Sequence, residues 1–290
     1  MSEGRIAGSF RDPSGFLFQR GENLFRQVNH IYREHYDQFV QGGLKEDLFR
    51  RGWLIPHEEV EEPPWSPGAY RVLRPQRIPF VSYPYEWCFS QWKEAGLLTL
   101  QIQRKALEHG MSLKDASAFN VQFLEGRPVF VDTLSFERWR EGEPWVAYRQ
   151  FCQHFLAPLA LMSRRDVRLG QLFRTHLDGV PLDLASALLP ARTRLRLPLL
   201  FHLHLHAGAQ KKFSDTAVKR GNRSMSRAAH LGLVDSLEKA LRSLDWSPRG
   251  TEWAEYYEDT NYSLAGVEHK KKVVQEFLDQ VRPTMVWDLG

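Results

Sequence analysis

Over residues 86–109 apolar side chains recur at helical spacing, at Trp87, Phe89, Trp92, Leu97, Leu100, Ile102 and Leu107, and Gly110 ends the run. Two short runs of strand character follow at 120–124 and 128–131, joined by Glu125-Gly126-Arg127, a connection short enough for a β-hairpin. A helix with so wide an apolar face must be covered, and a lone hairpin is marginal in water, so both need a larger core around them. The chain has the length for it. Its 290 residues correspond to about two domains at roughly 100–200 residues each, and no metal or disulfide is required on grounds of size.

The remainder reads as a mixture. Turn signals at Asp12-Pro-Ser-Gly15 and Arg20-Gly-Glu-Asn23 flank aromatic-rich runs and predict a β-ribbon. Residues 29–49 carry a helical repeat, 58–68 are an acidic proline-bearing loop, and 70–73 and 78–83 are expected strands. Residues 145–244 show only helical patterning, broken at prolines and glycines, and 266–282 are amphipathic. The expected fold class is α+β: a first domain over 1–245, a linker over 246–265, and the first helix and strand of a second domain over 266–290.

Composition narrows the class. Apolar residues make up 42% and charged residues 26%, which excludes a disordered, collagenous or coiled-coil chain. Two distant cysteines, Cys88 and Cys152, form neither a disulfide framework nor a zinc cluster and fit a reducing cytoplasm. No apolar run is long enough to span a bilayer, and the polar start lacks a secretory signal, so a cytoplasmic protein with no membrane partner is expected. The net charge of +4 is small, but between 192 and 227 nine Lys/Arg face one acid, Asp215. Such a segment is either a solvated surface or a contact for RNA phosphates.

Leu113-Lys-Asp-Ala-Ser-Ala-Phe-Asn120 precedes the hairpin, and Val129-Phe-Val-Asp132 closes it. Phosphoryl transfer needs a carboxylate at the acceptor hydroxyl, and an Asn and an Asp converging on Mg²⁺. Asp115 and Asn120 have the spacing of that base and Asn, and Asp132 follows at the familiar interval. The segment resembles the catalytic loop of protein and small-molecule kinases, the aminoglycoside phosphotransferase type in particular. The resemblance implies a kinase-like first domain using ATP and Mg²⁺, with Asp115 as base and Asn120 and Asp132 as metal ligands. Leu113 stands where that family has His, and Thr133-Leu134 where it has Phe-Gly. Neither a glycine-rich loop nor a Val-Ala-x-Lys strand occurs, and Arg26 is the nearest cation after the second ribbon strand. The plainer alternative is that Asp115, Asn120 and Asp132 stabilise turns through side-chain-to-backbone bonds.

The sequence closes on Thr284-Met-Val-Trp-Asp-Leu-Gly290, preceded by the amphipathic helix and Pro283. Helix, turn and apolar strand ending in Asp-Leu-Gly is how a nucleotide-type α/β domain begins. Val286-Trp-Asp-Leu-Gly290 resembles the first motif of class I S-adenosylmethionine-dependent methyltransferases. Trp253-Ala-Glu-Tyr-Tyr-Glu-Asp-Thr-Asn-Tyr262 and Glu268-His-Lys-Lys-Lys272 are similar to the lead-in of a bacterial group with a long N-terminal extension. By that resemblance Asp288 and Gly290 open the cofactor motif of a Rossmann-like domain. The expected activity is that of a larger methyltransferase with an unidentified methyl acceptor, the 290 residues being an inactive truncation. A kinase-like phosphotransferase or inactive kinase-like binding module is the alternative. His202, His204 and His206 alternate, but on a helix they cannot converge on a metal.

Overall fold

Strict alternation along residues 15–29 puts Phe16, Phe18 and Phe25 on one face of a ribbon and Leu17, Leu24 and Arg26 on the other, as period-2 side-chain geometry requires. In the computed structural model, which describes residues 4–9, 12–205, 225–247 and 262–288, this ribbon is the centre of a sheet. Strands β1 (Gly4–Arg5), β2 (Gly15–Arg20), β3 (Asn23–Asn29), β4 (His57–Glu59) and β5 (Ala69–Pro75) pair antiparallel in the order β1-β2-β3-β5-β4. The outer face carries a cluster of Phe16, Phe18, Phe25 and Val72, and the inner face a second one around Val28, Leu73 and Leu134.

The helical repeat at 29–49 is not one helix. It divides into α1 (Arg33–Gln41) and α2 (Leu44–Arg50) at Gly42-Gly43, where Gly43 takes φ +77°, a conformation that would strain any residue with a Cβ. The expected strand at 78–83 is absent too. Pro79 has no donor, and both backbone groups of Ser82 are taken by the Gln122 side chain, Ser82 N–H donating at 3.0 Å and Gln122 Nε2 donating to its carbonyl at 2.9 Å.

The long apolar repeat forms α3 (Phe89–Glu108), which leads into β6 (Met111–Leu113). The hairpin forms as β7 (Val121–Leu124) and β8 (Arg127–Phe130), turning on Glu125 and Gly126, both at positive φ. β9 (Phe136–Arg138) then pairs with β6. Helical structure follows: Tyr148–Phe151, a π turn at Cys152–Leu156, Ala157–Arg164, shorter pieces to Leu205, and Arg227–Arg242. The largest core cluster joins α3, the hairpin and these helices. Helix Arg227–Arg242 comes so close to α3 that a Cβ at Gly96 would lie 2.7 Å from Leu241.

The protein is thus mixed helix and sheet, and the chain divides into two units, Met1–Trp246 and Ser247–Gly290. The second unit, among its described residues, is the helix Leu264–Val281 followed by an extended stretch to Asp288. That helix has no buried residue, and the strand expected at 285–287 is not formed. The unit's described residues include no second strand with which that stretch could pair. No helix among the described residues is long and apolar enough to cross a membrane.

Candidate functional site

The loop from β6 to β9 is built on turn chemistry. Ser117 N–H donates to Asp115 Oδ1 at 2.8 Å, and the Ser117 hydroxyl accepts from Phe119 N–H to start a short 3-10 turn that ends at Asn120. Asp132 caps the turn Thr133–Ser135 by accepting from Leu134 N–H. The turn reading therefore holds for Asp115 and Asp132, whereas the Asn120 side chain bonds to other side chains. Asn120 Nδ2 donates to the Ser135 hydroxyl at 3.1 Å, and that hydroxyl donates to Asp132 Oδ2. Asn120 also favours the charged form of Asp115, so the three residues singled out by spacing come together.

Long-range side-chain bonds hold this loop in place. Trp145 Nε1 donates to the Leu113 carbonyl at 2.8 Å, and Leu113 N–H donates to Gln103 Oε1 of α3 at 2.7 Å. Gln150 Oε1 accepts from Ala116 N–H at 2.7 Å, and His154 Nδ1 accepts from Ala118 N–H at 3.2 Å. Gln150 and His154 reach the loop from the helix interrupted by the π turn. Pro158 explains why the chain tolerates that turn: lacking an N–H, it leaves the His154 carbonyl without its α-helical donor, and Trp92 Nε1 supplies one at 2.8 Å.

The inner face of the sheet stands opposite. Leu17, Arg26 and Leu73 lie abreast on β2, β3 and β5, and His57 lies abreast of Pro75 at the next inward position. Between this face and the loop is a cavity of about 490 Å³, walled also by residues 76–79, Phe119, Gln122, Val131 and Thr133. Arg26, one of the lining residues, pairs directly through its guanidinium with Asp132 Oδ1. Its wall mixes apolar side chains with polar and charged ones, among them Glu22, Arg26, Arg77 and Gln122, and a concave wall of that kind can orient a small molecule.

The two carboxylates are poised differently. Burial pushes the Asp115 carboxyl up, the Ser117 N–H pulls it down, the Asp132 charge raises it again, and the outcome lies above the ordinary carboxylate range. Burial also raises Asp132, but Arg26, Ser135 and the Leu134 N–H together hold it below that range. One carboxylate is thus set toward accepting a proton and the other toward staying charged, as an acid–base site requires.

For a metal, the donors are hard oxygens. Asn120 spends its amide nitrogen on Ser135, and its oxygen has no partner among the described residues; Asp132 supplies a carboxylate already engaged by Arg26 and Ser135. No group of three or more His, Cys, Asp or Glu able to hold an ion occurs among the described residues. Two protein oxygens fit Mg²⁺ only where a ligand's own oxygens complete its shell.

The other expected residues lie elsewhere. Asp288 is exposed in the second unit, and Gly290 lies outside the described residues. His202 has Tyr148 and Ser236 hydroxyls on its two nitrogens, and His204 has those of Ser186 and Thr193, all at 2.8 Å, while His206 lies outside the described residues. These two histidines are spent on hydrogen bonds and not on a metal. Of the basic segment, Arg192, Arg194 and Arg196 are exposed, and residues 206–224 lie outside the described residues. Cys152 is buried and Cys88 exposed. Spacing alone did not reveal Gln150, His154 or His57 as part of the site, and it offered Arg26 only as a nearby cation. Alternation in β3 was the one signal that could have aimed Arg26 inward.

The chain is 32% identical over 295 residues to Nodulation protein NoeA of Rhizobium meliloti (strain 1021). That match takes in 99% of this chain and spans 62% of the length of the relative. No protein-family profile matches the chain.

Proposed function

We propose that the Met1–Trp246 unit binds a nucleoside triphosphate in its cleft and presents it for kinase-like transfer to a small hydroxyl-bearing acceptor. The observation that carries this reading is that Arg26, which lines the cavity of about 490 Å³, pairs with Asp132, and that Asp132 and Asn120 share the Ser135 hydroxyl behind the lining residues Val131 and Thr133. Arg26 takes the place of the missing lysine: it enters from the sheet side and its fork suits phosphate oxygens. Asn120 and Asp132 hold Mg²⁺ together with the phosphates, and the ion supplies charge neutralisation where the phosphates converge. Asp115 accepts the proton of the acceptor hydroxyl as that oxygen attacks the terminal phosphorus, and the nucleoside diphosphate leaves. The raised affinity of Asp115 for a proton suits that role. Arg26 must exchange Asp132 for phosphate when the ligand enters, so nucleotide and ion bind together.

Calorimetry with ATP, with and without Mg²⁺, tests this. Binding is expected to tighten at least roughly tenfold with the ion, and Asp132→Ala is expected to erase that gain. An unaltered protein that binds no nucleotide refutes the reading.

A second reading concerns residues 264–290, and it makes the parent protein an S-adenosylmethionine-dependent methyltransferase whose first unit recognises the acceptor. It is supported by the order helix, Pro283, extended segment, and by the exposure of Val274, Phe277, Val281, Met285, Val286 and Trp287, an apolar set suited to packing on a sheet. The 290-residue chain is then expected to leave labelled cofactor unconsumed, and a longer chain continuing past Gly290 to bind it, less well with Asp288→Ala. Turnover by the 290 residues alone contradicts this reading.

A further inference from the structure

Among the polar side chains that line the cleft from the sheet side, His57 has an atom with no partner among the described residues. His57 is 8% exposed and meets Phe49 edge to face, with ring centroids 4.9 Å apart. Its Nδ1 lies 3.2 Å from the Ile55 carbonyl oxygen. A carbonyl oxygen only accepts, so Nδ1 carries the ring proton and Nε2 presents a lone pair. Burial pushes the imidazole down to about 4, which keeps the ring neutral near pH 7. Nε2 is buried, and no donor among the described residues reaches it. Buried acceptors are nearly always satisfied, because an unpaired one forfeits its bonds to water.

The position of His57 says which part of a ligand meets it. Arg26 stands abreast of Leu73 on β5, and His57 abreast of Pro75, two residues further along. With strands about 4.8 Å apart and a rise of about 3.3 Å per residue, the two side chains start roughly 12 Å from each other. Arg26 marks the phosphate end, so His57 stands at the far end, where Leu24, Ile55 and Ile78 offer apolar walls to a base. Phosphate oxygens only accept and cannot satisfy Nε2. An amino group on the base can.

We infer that His57 selects the base of the bound nucleotide, its Nε2 accepting a hydrogen bond from an exocyclic amino group such as that of adenine. The inference rests on the nucleotide reading of the cleft. Calorimetry on the full chain with Mg²⁺ compares ATP with purine riboside triphosphate, which differs only in carrying hydrogen in place of the amino group. ATP is expected to bind roughly tenfold tighter, and His57→Phe to weaken ATP alone until the two ligands match. The ratio on the unaltered protein decides the matter even where the variant does not fold. Equal affinities on the unaltered protein overturn the role of His57 and leave the nucleotide reading standing. Binding of neither ligand overturns the nucleotide reading, and the role of His57 falls with it.

Discussion

The two walls of the cleft are made by different means. The sheet wall is a backbone ladder in which Leu17, Leu24, Arg26 and Leu73 are placed by register, so each residue depends little on the identity of its neighbours. The loop wall from Leu113 to Ser135 has short strands and isolated turns, and side chains distant in sequence hold it, among them Gln103, Trp145, Gln150 and His154. Register errors should therefore damage the first wall, and single side-chain losses the second.

The largest effect is expected where the walls touch. A Cβ at Gly15 of β2 would lie 2.0 Å from the Gln27 carbonyl oxygen and 2.7 Å from Leu134 Cδ1. The first of these is backbone and cannot step aside. Gly15→Val should cost on the order of 4 kcal/mol or unfold the chain, read as a lowered or lost thermal transition. A variant that melts like the parent would show that the ladder gives way more readily than its register implies.

His154→Leu is the matching break on the loop wall. It leaves the Ala118 N–H buried without an acceptor, and should cost roughly 2–3 kcal/mol while weakening nucleotide binding. Unchanged binding in a destabilised protein would separate the anchoring of the loop from the placement of Asp115 and Asn120.

Acid tests both walls at once, because each buries one histidine, His57 and His154, held by desolvation near 4 against an ordinary 6.5. Groups depressed on folding stabilise above their unfolded pKa, and that stability is lost as pH falls toward the folded value. Each should contribute on the order of 2–3 kcal/mol, so the thermal transition should drop between about pH 6.5 and pH 4. His57→Phe and His154→Leu should each flatten the drop. A slope untouched by both would place the acid-sensitive groups elsewhere.

The smallest effect is expected outside the cleft, where Arg104 of α3 pairs with Asp235 and Glu238 of helix Arg227–Arg242. The pairs are partly solvated, and Arg104→Ala should cost below about 1 kcal/mol, within reach of denaturant titration. A larger loss would mean that the arginine stem, rather than its charge, seals that helix contact.

What the sequence disclosed follows the same division. The turn signals at 12–15 and 20–23, the repeat that forms α3 and the Glu125-Gly126 turn are local patterns, and each produced the element it predicted. Gly42-Gly43 was a visible break inside a repeat whose periodicity alone suggested one helix. The strand expected at 78–83 failed because Gln122, some forty residues away, occupies Ser82; no local pattern encodes that. On the loop wall, spacing was enough to bring Asp115, Asn120 and Asp132 forward. Their supports were not legible, since His154 reads as one polar residue in an apolar helix and Arg26 as one charge in a strand.

The π turn at Cys152–Leu156 sets the rotational phase between the two ends of its helix. One residue turns an α-helix by about 100°. Deleting a single residue there would let the helix run regularly, and would swing Gln150 about a quarter-turn away from the Ala116 N–H it now receives. The surplus residue is therefore an indexing device: it lets Ala157–Arg164 keep its seat in the core while the preceding turn points a side chain at the loop. In an alignment of related chains, one-residue gaps inside this turn should be absent wherever the Asp115 loop is kept.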